Sequence, residues 1–190
     1  MPITYLIGVC FLAFCIVQRV VEVAFGYRDA EKGHVVAKWT IQILGLIFFT
    51  FIIVSFVELV FLRKRLINTW LFFLCFLGYS LILLFRFWAI RSLKQFKSYN
   101  VELRHKQVIV KEGPYRYIRH PIYLGMIVES ILIPLSVQAY FALLISIFLY
   151  IPLLVIRIRT EERVLGKLCG TKYKRYIVNT AALFPKLKGH

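Results

Sequence analysis

The stretch "GPYRYIRHPIYLG", residues 113–125, places three tyrosines, two arginines, a histidine and two prolines within thirteen positions. It opens on Gly113-Pro114, a dipeptide that marks turns. Pro121 suits the first turn of a helix, and the residue before a proline is disfavoured in the helical conformation. The pattern therefore predicts that His120 lies at, or just before, the N-terminus of an apolar helix.

Long apolar runs flank this polar segment. The chain has 190 residues, of which 60% are hydrophobic, more than a soluble domain of this length carries. The runs cover 3–25, 39–62, 68–90, 122–137 and 139–158. The first three each reach the ~20 residues that a membrane-spanning helix needs, and the last two are separated by Pro134 and "PLSVQ". The sequence predicts an all-α membrane protein with about five transmembrane helices.

Basic residues are unevenly distributed between these runs. The formal charge is +16, and 20 of the 25 Lys and Arg lie in 26–38, in 91–120 and in the tail after residue 156. Because cytoplasmic loops are enriched in Lys and Arg, these three segments are predicted to be cytoplasmic, with the N-terminus outside. We attribute the charge to topology and to contact with anionic membrane lipid, and expect no nucleic-acid partner. The four cysteines and four histidines show no metal-ligand spacing, so no metal is expected.

Besides Arg157, five charged residues fall inside apolar runs, where charge is costly without a partner. Arg19 and Glu22 are three apart and are predicted to pair on one helix face. Glu58 is expected to pair with the basic loop after the second run, and Arg86 to extend its charge to the interface. For Glu129, in the fourth run, a structural role and a functional role both stay open.

The tyrosines around His120 have two possible interpretations. Tyr115, Tyr117 and Tyr123 offer aromatic faces that stabilise a sulfonium or ammonium, and N–H groups at a helix N-terminus favour anions. The same residues also suit an aromatic belt at the membrane interface. The sequence alone leaves a ligand site and a belt both possible.

The tail carries a second group of polar residues. Arg157 and Glu161 are four apart and share a face of the predicted helix. Arg157 follows "LLVI" directly, at membrane depth, where a charge without a task is costly. Further on, Tyr173 and Tyr176 alternate with basic residues, which predicts a helix lying on the membrane surface.

Together, "GPYRYIRHPIYLG" and the later "RIRTEERVL", with its two tyrosines three positions apart, resemble the isoprenylcysteine carboxyl methyltransferase family. The resemblance covers about residues 99–185. It implies an integral membrane enzyme that uses S-adenosylmethionine and forms S-adenosylhomocysteine. It also implies one domain over 1–190, with N-terminal helices over 1–97 and, over 98–190, a cytoplasmic cofactor-binding and catalytic region ending in a C-terminal helix.

The resemblance also implies a set of cofactor-binding residues. By position in the family motifs, these are Asn100, Gln107, Val108, Ile109, Val110, Tyr115, His120, Pro121, Ile122, Tyr123 and Glu161. Residues 107–110 match the stretch that holds the adenosine end. Glu161 matches the glutamate that meets the methionine portion, although which glutamate of the Glu161-Glu162 pair faces inward stays open.

Two residues are expected to carry catalysis, Glu161 and Arg157, and Arg157 matches the arginine that holds the substrate carboxylate. Glu129 is a second candidate for substrate binding. Methyl transfer to a carboxylate needs positioning and dehydration of the nucleophile, and no acid or base. The absence of a nucleophile–histidine–aspartate triad and of a metal cluster is consistent with that reaction.

The expected acceptor is a lipophilic small molecule or a lipidated substrate bearing a carboxylate. Phospholipid amines, thiols and phenols are alternative acceptors. An NADPH-dependent reductase of the sterol-reductase type and a non-catalytic membrane scaffold are alternatives of other classes. No obligatory protein partner is expected. A prokaryotic cell membrane is the expected location, with the active site on the cytoplasmic side.

Overall fold

The structure, a computed structural model, describes most of the chain. The described residues are 3–25, 34–36, 38–62, 67–93, 101–103 and 110–184. Within them the polypeptide is almost entirely helical, as predicted for an all-α membrane protein.

The helices follow the predicted apolar runs in order. They are α1 (Ile3–Phe25), α2 (Lys38–Val57), α3 (Thr69–Ser92), α4 (Pro121–Ser136), α5 (Tyr140–Ile145) and α6 (Ile151–Asn179). A π-helical turn, Glu58–Leu62, extends α2, and a second, Ser146–Tyr150, joins α5 to α6. Two three-residue strands, β1 (His34–Val36) and β2 (Val101–Leu103), pair antiparallel.

Four helical segments in the described part of the chain are long and apolar enough to cross a membrane. They are Ile3–Ala24, Trp39–Leu62, Thr69–Ser92 and the 40-residue Tyr140–Asn179. The fifth apolar helix, α4, has 16 residues and so is about 24 Å long, shorter than a hydrocarbon core of about 30 Å. Large apolar side chains such as Trp70 and Phe148 are exposed on the outside of the bundle. The chain is a multi-pass membrane protein.

Aromatic side chains fill much of the interior between α1, α2 and α3. Phe11 makes edge-to-face contacts with Phe72 and Tyr79, with ring centroids 5.6 and 5.3 Å apart. Phe51 of α2 meets Tyr150 in the same geometry at 5.6 Å. Such pairs add roughly 0.5–1.5 kcal/mol each beyond the area they bury, so they favour one packing of these apolar helices.

The break between the last two apolar runs lies at the end of "PLSVQ", between the predicted runs 122–137 and 139–158. Pro134 is inside α4, which ends at Ser136. The chain then turns through Gln138, whose φ is 56°, and the N–H of Ala139 donates to the carbonyl of Pro134 at 2.8 Å. The turn itself therefore separates α4 from α5.

Among the described residues, the hydrogen-bond partner of Glu58 differs from the basic loop that the sequence predicted. It is buried, and its Oε1 accepts a hydrogen bond of 2.8 Å from the backbone N–H of Ala142, in the first turn of α5. The first N–H groups of a helix lack intrahelical partners, and the N-terminus favours negative charge. Glu58 therefore stabilises the start of α5. The basic loop proposed as its partner lies at 63–66, outside the described residues.

Two arginines and two glutamates form a buried ion network inside the bundle. Arg19 of α1 donates to Glu129 of α4 at 2.6 Å and to Glu22 at 3.4 Å. Arg86 of α3 donates to both Glu129 oxygens and to Glu22. The predicted Arg19–Glu22 pair is confirmed as part of this network. The expectation that Arg86 extends to the interface is wrong, since the residue is 2% exposed and its charge is balanced within the bundle.

Gly125 allows this network to form. A Cβ atom at Gly125 would lie 2.1 Å from Cγ and 2.3 Å from Cδ of Arg86. The aliphatic part of the Arg86 side chain therefore crosses α4 directly over this glycine and reaches Glu129 one turn further on. The network connects α1, α3 and α4, which fixes the rotation of α4 within the bundle.

Candidate active site

The polar segment before α4 turns tightly against the end of α3. Gly113 begins a 3-10 turn, Gly113–Arg116, with a φ of 56° that disfavours residues other than glycine. A Cβ atom there would lie 2.2 Å from the Oγ of Ser92. Glycine is thus required twice, for its backbone conformation and for the close approach to α3.

His120 caps the N-terminus of α4, as the sequence predicts, and Pro121 occupies the first turn. Both residues are buried. The His120 backbone, with φ −125° and ψ 59°, lies outside the helical region, which agrees with the restriction that a following proline imposes. The start of α4 is therefore fixed by sequence-local effects.

A short backbone ladder joins this segment to the chain after α6. The N–H of Arg119 donates to the carbonyl of Ala181 at 2.8 Å, and the N–H of His120 donates to that of Ala182 at 3.0 Å. Ile118 and Ala181 form an isolated parallel bridge. The two motifs singled out in the sequence therefore lie side by side.

The Arg119 side chain ties the end of α6 to Glu162. Its guanidinium donates to Glu162 Oε1 at 2.8 and 3.0 Å, and to the carbonyls of Ile177 and Thr180. Carbonyls in the last turn of a helix lack intrahelical donors, so the arginine satisfies groups that would otherwise need water. Glu162 Oε1 also lies 3.1 Å from His120 Nε2.

Tyr123, on the first turn of α4, connects Arg157 and Glu161 of the tail motif. Its hydroxyl accepts a hydrogen bond of 2.9 Å from Arg157 Nε and donates one of 2.8 Å to Glu161 Oε2. Arg157 is 3% exposed, and its Nη1 also donates to Thr40 Oγ1 of α2. A continuous hydrogen-bonded chain thus runs from Thr40 through Arg157 and Tyr123 to Glu161.

The adjacent glutamates of α6 have different partners. Glu161 is bonded to Tyr123, whereas Glu162 is bonded to Arg119 and His120. Glu162 thus joins an ion pair that fixes the two motifs to each other. Glu161 lies instead on the polar chain that contains the buried Arg157.

Beyond the site, α6 bends sharply at Gly170, where φ is 50° and ψ is −124°. After the bend, Tyr173 and Tyr176 are buried, while Lys174 and its basic neighbours are exposed. The Tyr176 hydroxyl donates to the carbonyl of Tyr115 at 2.6 Å. The buried tyrosine face of this helix therefore packs on the polar segment, and the location of the helix on the membrane surface stays a prediction.

Comparison with known proteins agrees with this geometry. The family model described as the isoprenylcysteine carboxyl methyltransferase (ICMT) family matches residues 70–167, about half of the chain. The chain belongs to this family. It is therefore a membrane methyltransferase, and the resemblance noted in the sequence is confirmed. The match begins earlier than that resemblance did, since it includes α3.

One similar protein is the uncharacterized protein YpbQ of Bacillus subtilis (strain 168). It is 32% identical to this chain over 170 residues, which cover 81% of this chain and 94% of YpbQ. The similarity therefore extends over most of the length of both proteins, beyond the part matched by the ICMT family model.

Among the residues expected to bind the cofactor, the ring of His120 lies beside that of Tyr123, and Tyr123 contacts Glu161. Tyr115, His120 and Pro121 are buried, while Val110, Ile122, Tyr123 and Glu161 are half-buried. Asn100, Gln107, Val108 and Ile109 lie outside the described residues. Tyr117, by contrast, is 59% exposed.

Glu129 lies in the buried network with Arg19 and Arg86. Both of its oxygens accept hydrogen bonds from arginine, so it holds α1, α3 and α4 together. Its role in substrate binding stays a prediction.

Sequence reasoning missed two residues of the site, Thr40 and Arg119. Thr40 is fully buried and contacts Arg157 across 117 positions of sequence. A single threonine in an apolar helix carries no periodic signal that would reveal such a contact. Arg119 lies in "GPYRYIRHPIYLG", directly before His120. That position was the only indication in the sequence that Arg119 has a structural role.

Proposed function

We propose that this ICMT family member transfers a methyl group from S-adenosylmethionine to a carboxylate on a lipophilic acceptor, an isoprenylcysteine-type O-methylation. The proposal depends on one observation above all: Tyr123 connects Arg157, suited to an anionic acceptor, with Glu161, suited to a cationic group. The cofactor supplies a methyl group activated by its attachment to a sulfonium. The protein has to bind the two reactants, orient them and exclude water.

The residues around His120 suit that cofactor chemically. A glutamate carboxylate is a suitable partner for the ammonium of a methionine portion, and Glu161 is half-buried at the polar chain. The rings of His120 and Tyr123 lie with centroids 5.7 Å apart beside it. Aromatic faces attract cationic groups, including onium ions, so this corner favours a positively charged ligand. Residues 107–110 are proposed to hold the adenosine end, with a further polar contact from Asn100.

Arg157 is proposed to bind the acceptor carboxylate. A guanidinium has five N–H donors in a planar fork that matches a carboxylate. Tyr123 and Thr40 each accept from one of these groups, which orients the plane of the fork. Because Arg157 is buried, the bound carboxylate loses its hydration and becomes a better nucleophile. Methyl transfer to it needs no general base.

A cavity of about 350 Å³ between α1 and α2 is proposed to hold the hydrocarbon part of the acceptor. Its lining is mostly apolar and includes Leu44, Phe48 and Tyr150. Leu44 lies one turn after Thr40, and Tyr150 lies two turns before Arg157, so two lining residues share helices with the residues proposed to bind the carboxylate. An acceptor with its tail here would present its carboxylate to Arg157.

The site is proposed to face the cytoplasm of a prokaryotic cell. The positive-inside rule supports this orientation, because the polar segment and the tail carry most of the basic residues. The region over 98–190 is then the cofactor-binding and catalytic part of a single domain, to which α2 contributes Thr40.

The proposal is tested by incubating the purified protein with lipid extract and methyl-labelled S-adenosylmethionine. Base treatment releases labelled methanol from a methyl ester, whereas N-methyl, S-methyl and phenol-ether products keep the label. We expect base-labile label that is lost in Arg157→Ala and retained in Arg159→Ala, an exposed arginine on the same helix. Base-stable label would assign an amine, thiol or phenol acceptor, and turnover by Arg157→Ala would refute the carboxylate clamp.

A further inference from the structure

Tyr173 carries a buried hydroxyl whose hydrogen bond is missing. The residue is 2% exposed, and its Oη has no hydrogen-bond partner among the residues that the structure describes. Buried polar groups in native proteins nearly always have a partner, and leaving one unsatisfied costs about 1–3 kcal/mol. The hydroxyl therefore calls for a physical explanation.

Neighbouring tyrosines show that hydroxyl groups in this region are otherwise used. The Tyr123 hydroxyl serves Arg157 and Glu161, and the Tyr176 hydroxyl serves the carbonyl of Tyr115. Tyr173 lies beside Tyr176, with ring centroids 6.2 Å apart, so its ring belongs to the same packed group. A phenylalanine would fill this space without a polar atom, which makes the hydroxyl itself the feature to explain.

The position of Tyr173 relates it to the candidate active site. It follows the bend at Gly170, after which the chain packs on the polar segment. It also lies one turn before Ile177, whose carbonyl accepts a hydrogen bond from the Arg119 guanidinium that binds Glu162. The Tyr173 hydroxyl is thus a neutral hydrogen-bond donor one helical turn from the contact with Arg119 and Glu162, and Glu162 adjoins the glutamate that is proposed to receive the cofactor ammonium.

We propose that Tyr173 is a cofactor-binding residue whose hydroxyl donates a hydrogen bond to the α-carboxylate of S-adenosylmethionine. The inference rests on the proposed function. Ammonium and carboxylate are attached to the same carbon atom, so a group that binds one must lie close to a group that binds the other. Glu161 suits the ammonium, and repels the carboxylate unless a donor lies nearby. Tyr173 supplies such a donor with no charge of its own.

Calorimetry with two ligands tests this assignment. S-adenosylhomocysteine carries the amino-acid portion, whereas 5′-methylthioadenosine shares the adenosine and sulfur but lacks that portion. In Tyr173→Phe we expect affinity for S-adenosylhomocysteine to fall about 10-fold, or ~1.4 kcal/mol. Affinity for 5′-methylthioadenosine should stay within about twofold of wild type. Tyr117→Phe, which removes an exposed hydroxyl, is the matched control and should bind both ligands like wild type.

Thermal unfolding of the ligand-free protein gives a second measurement. Removing an unsatisfied hydroxyl should leave the melting temperature of Tyr173→Phe unchanged or higher. The rise in melting temperature caused by S-adenosylhomocysteine should be smaller than in wild type. A lower melting temperature without ligand would instead indicate that the hydroxyl stabilises the fold.

The outcomes separate this inference from the function it rests on. If wild type fails to bind S-adenosylhomocysteine, both are overturned. If wild type binds it and Tyr173→Phe binds equally well, only the role of Tyr173 is overturned. Equal weakening of both ligands would also overturn it, because the hydroxyl would then act on the shared part of the two molecules.

Discussion

The hydroxyl of Tyr123 lies 2.8 Å from Oε2 of Glu161, joining the first turn of α4 to the middle of α6. The Tyr123 hydroxyl oxygen also accepts a hydrogen bond from Nε of Arg157, which lies one turn before Glu161 on α6. Arg157 and Glu161, which have opposite charges and both lie on α6, are thereby bridged by the neutral side chain of Tyr123 from α4. The Tyr123 hydroxyl thus connects the two charged side chains through hydrogen bonds and fixes their positions relative to α4.

Tyr123→Phe should therefore impair the reaction while the protein stays folded. The substitution removes a hydroxyl that bonds two charged groups, each such bond being worth about 1.5–3 kcal/mol. We expect kcat/KM to fall ~10–100-fold. Steady-state kinetics with the base-labile methyl ester as product measures this. Unchanged kcat/KM would show that Tyr123 does not position Arg157 and Glu161 for the reaction.

Thr40→Val should affect the acceptor more than the cofactor. Thr40 orients Arg157 from α2, and valine keeps the branched shape but removes the oxygen that Arg157 contacts. The loss of one hydrogen bond to a charged group predicts a rise of roughly 10-fold in KM for the acceptor. Affinity for S-adenosylhomocysteine by calorimetry should stay near wild type. A selective loss of cofactor affinity would contradict the assignment of Arg157 to the acceptor.

Gly125→Ala should destabilise the fold through the buried ion network. The added methyl group would overlap the Arg86 side chain, and forcing extra volume into a packed interior costs about 1–3 kcal/mol. The cost rises further if Arg86 leaves Glu129, because both charges are then buried without balance. Gly166→Ala is the matched control. It lies in α6 with no atom within 4 Å of the added Cβ, so it should be neutral or slightly stabilising.

These two variants are compared by thermal unfolding in the same detergent. We expect Gly125→Ala to melt well below wild type and Gly166→Ala to melt at or above it. Equal melting temperatures for the two variants would show that α4 accommodates the methyl group and that its position does not depend on the path of Arg86.

The parts of the fold that the sequence predicted depend on neighbouring residues in the chain. Pro121 set the start of α4 and the capping position of His120, and apolar runs of sufficient length set the helices. Arg157 and Glu161 could be placed on one helix face because their spacing of four is a local property. The proximity of the two motifs came from the family resemblance.

Long-range partners could not be read from the sequence in this way. Thr40 accepts a hydrogen bond from Arg157, which is 117 positions away in the sequence. Glu58 accepts one from the backbone N–H of Ala142, which is 84 positions away. Arg86 was expected at the interface because it lies near the end of its apolar run, whereas its actual partners, Glu22 and Glu129, lie on two other helices. The bend at Gly170, where φ is positive inside a helical pattern, was not predicted either, and after it the Tyr176 hydroxyl reaches the carbonyl of Tyr115.

We propose that the two motifs enclose S-adenosylmethionine with Glu161 at its methionine portion. Calorimetry of purified wild type and Glu161→Ala with S-adenosylhomocysteine tests it most directly. We expect wild type to bind with a Kd on the order of micromolar, and Glu161→Ala to bind at least ~10-fold more weakly, as loss of a charged hydrogen bond predicts. Absence of binding by wild type, or equal affinity in the two proteins, would contradict the account.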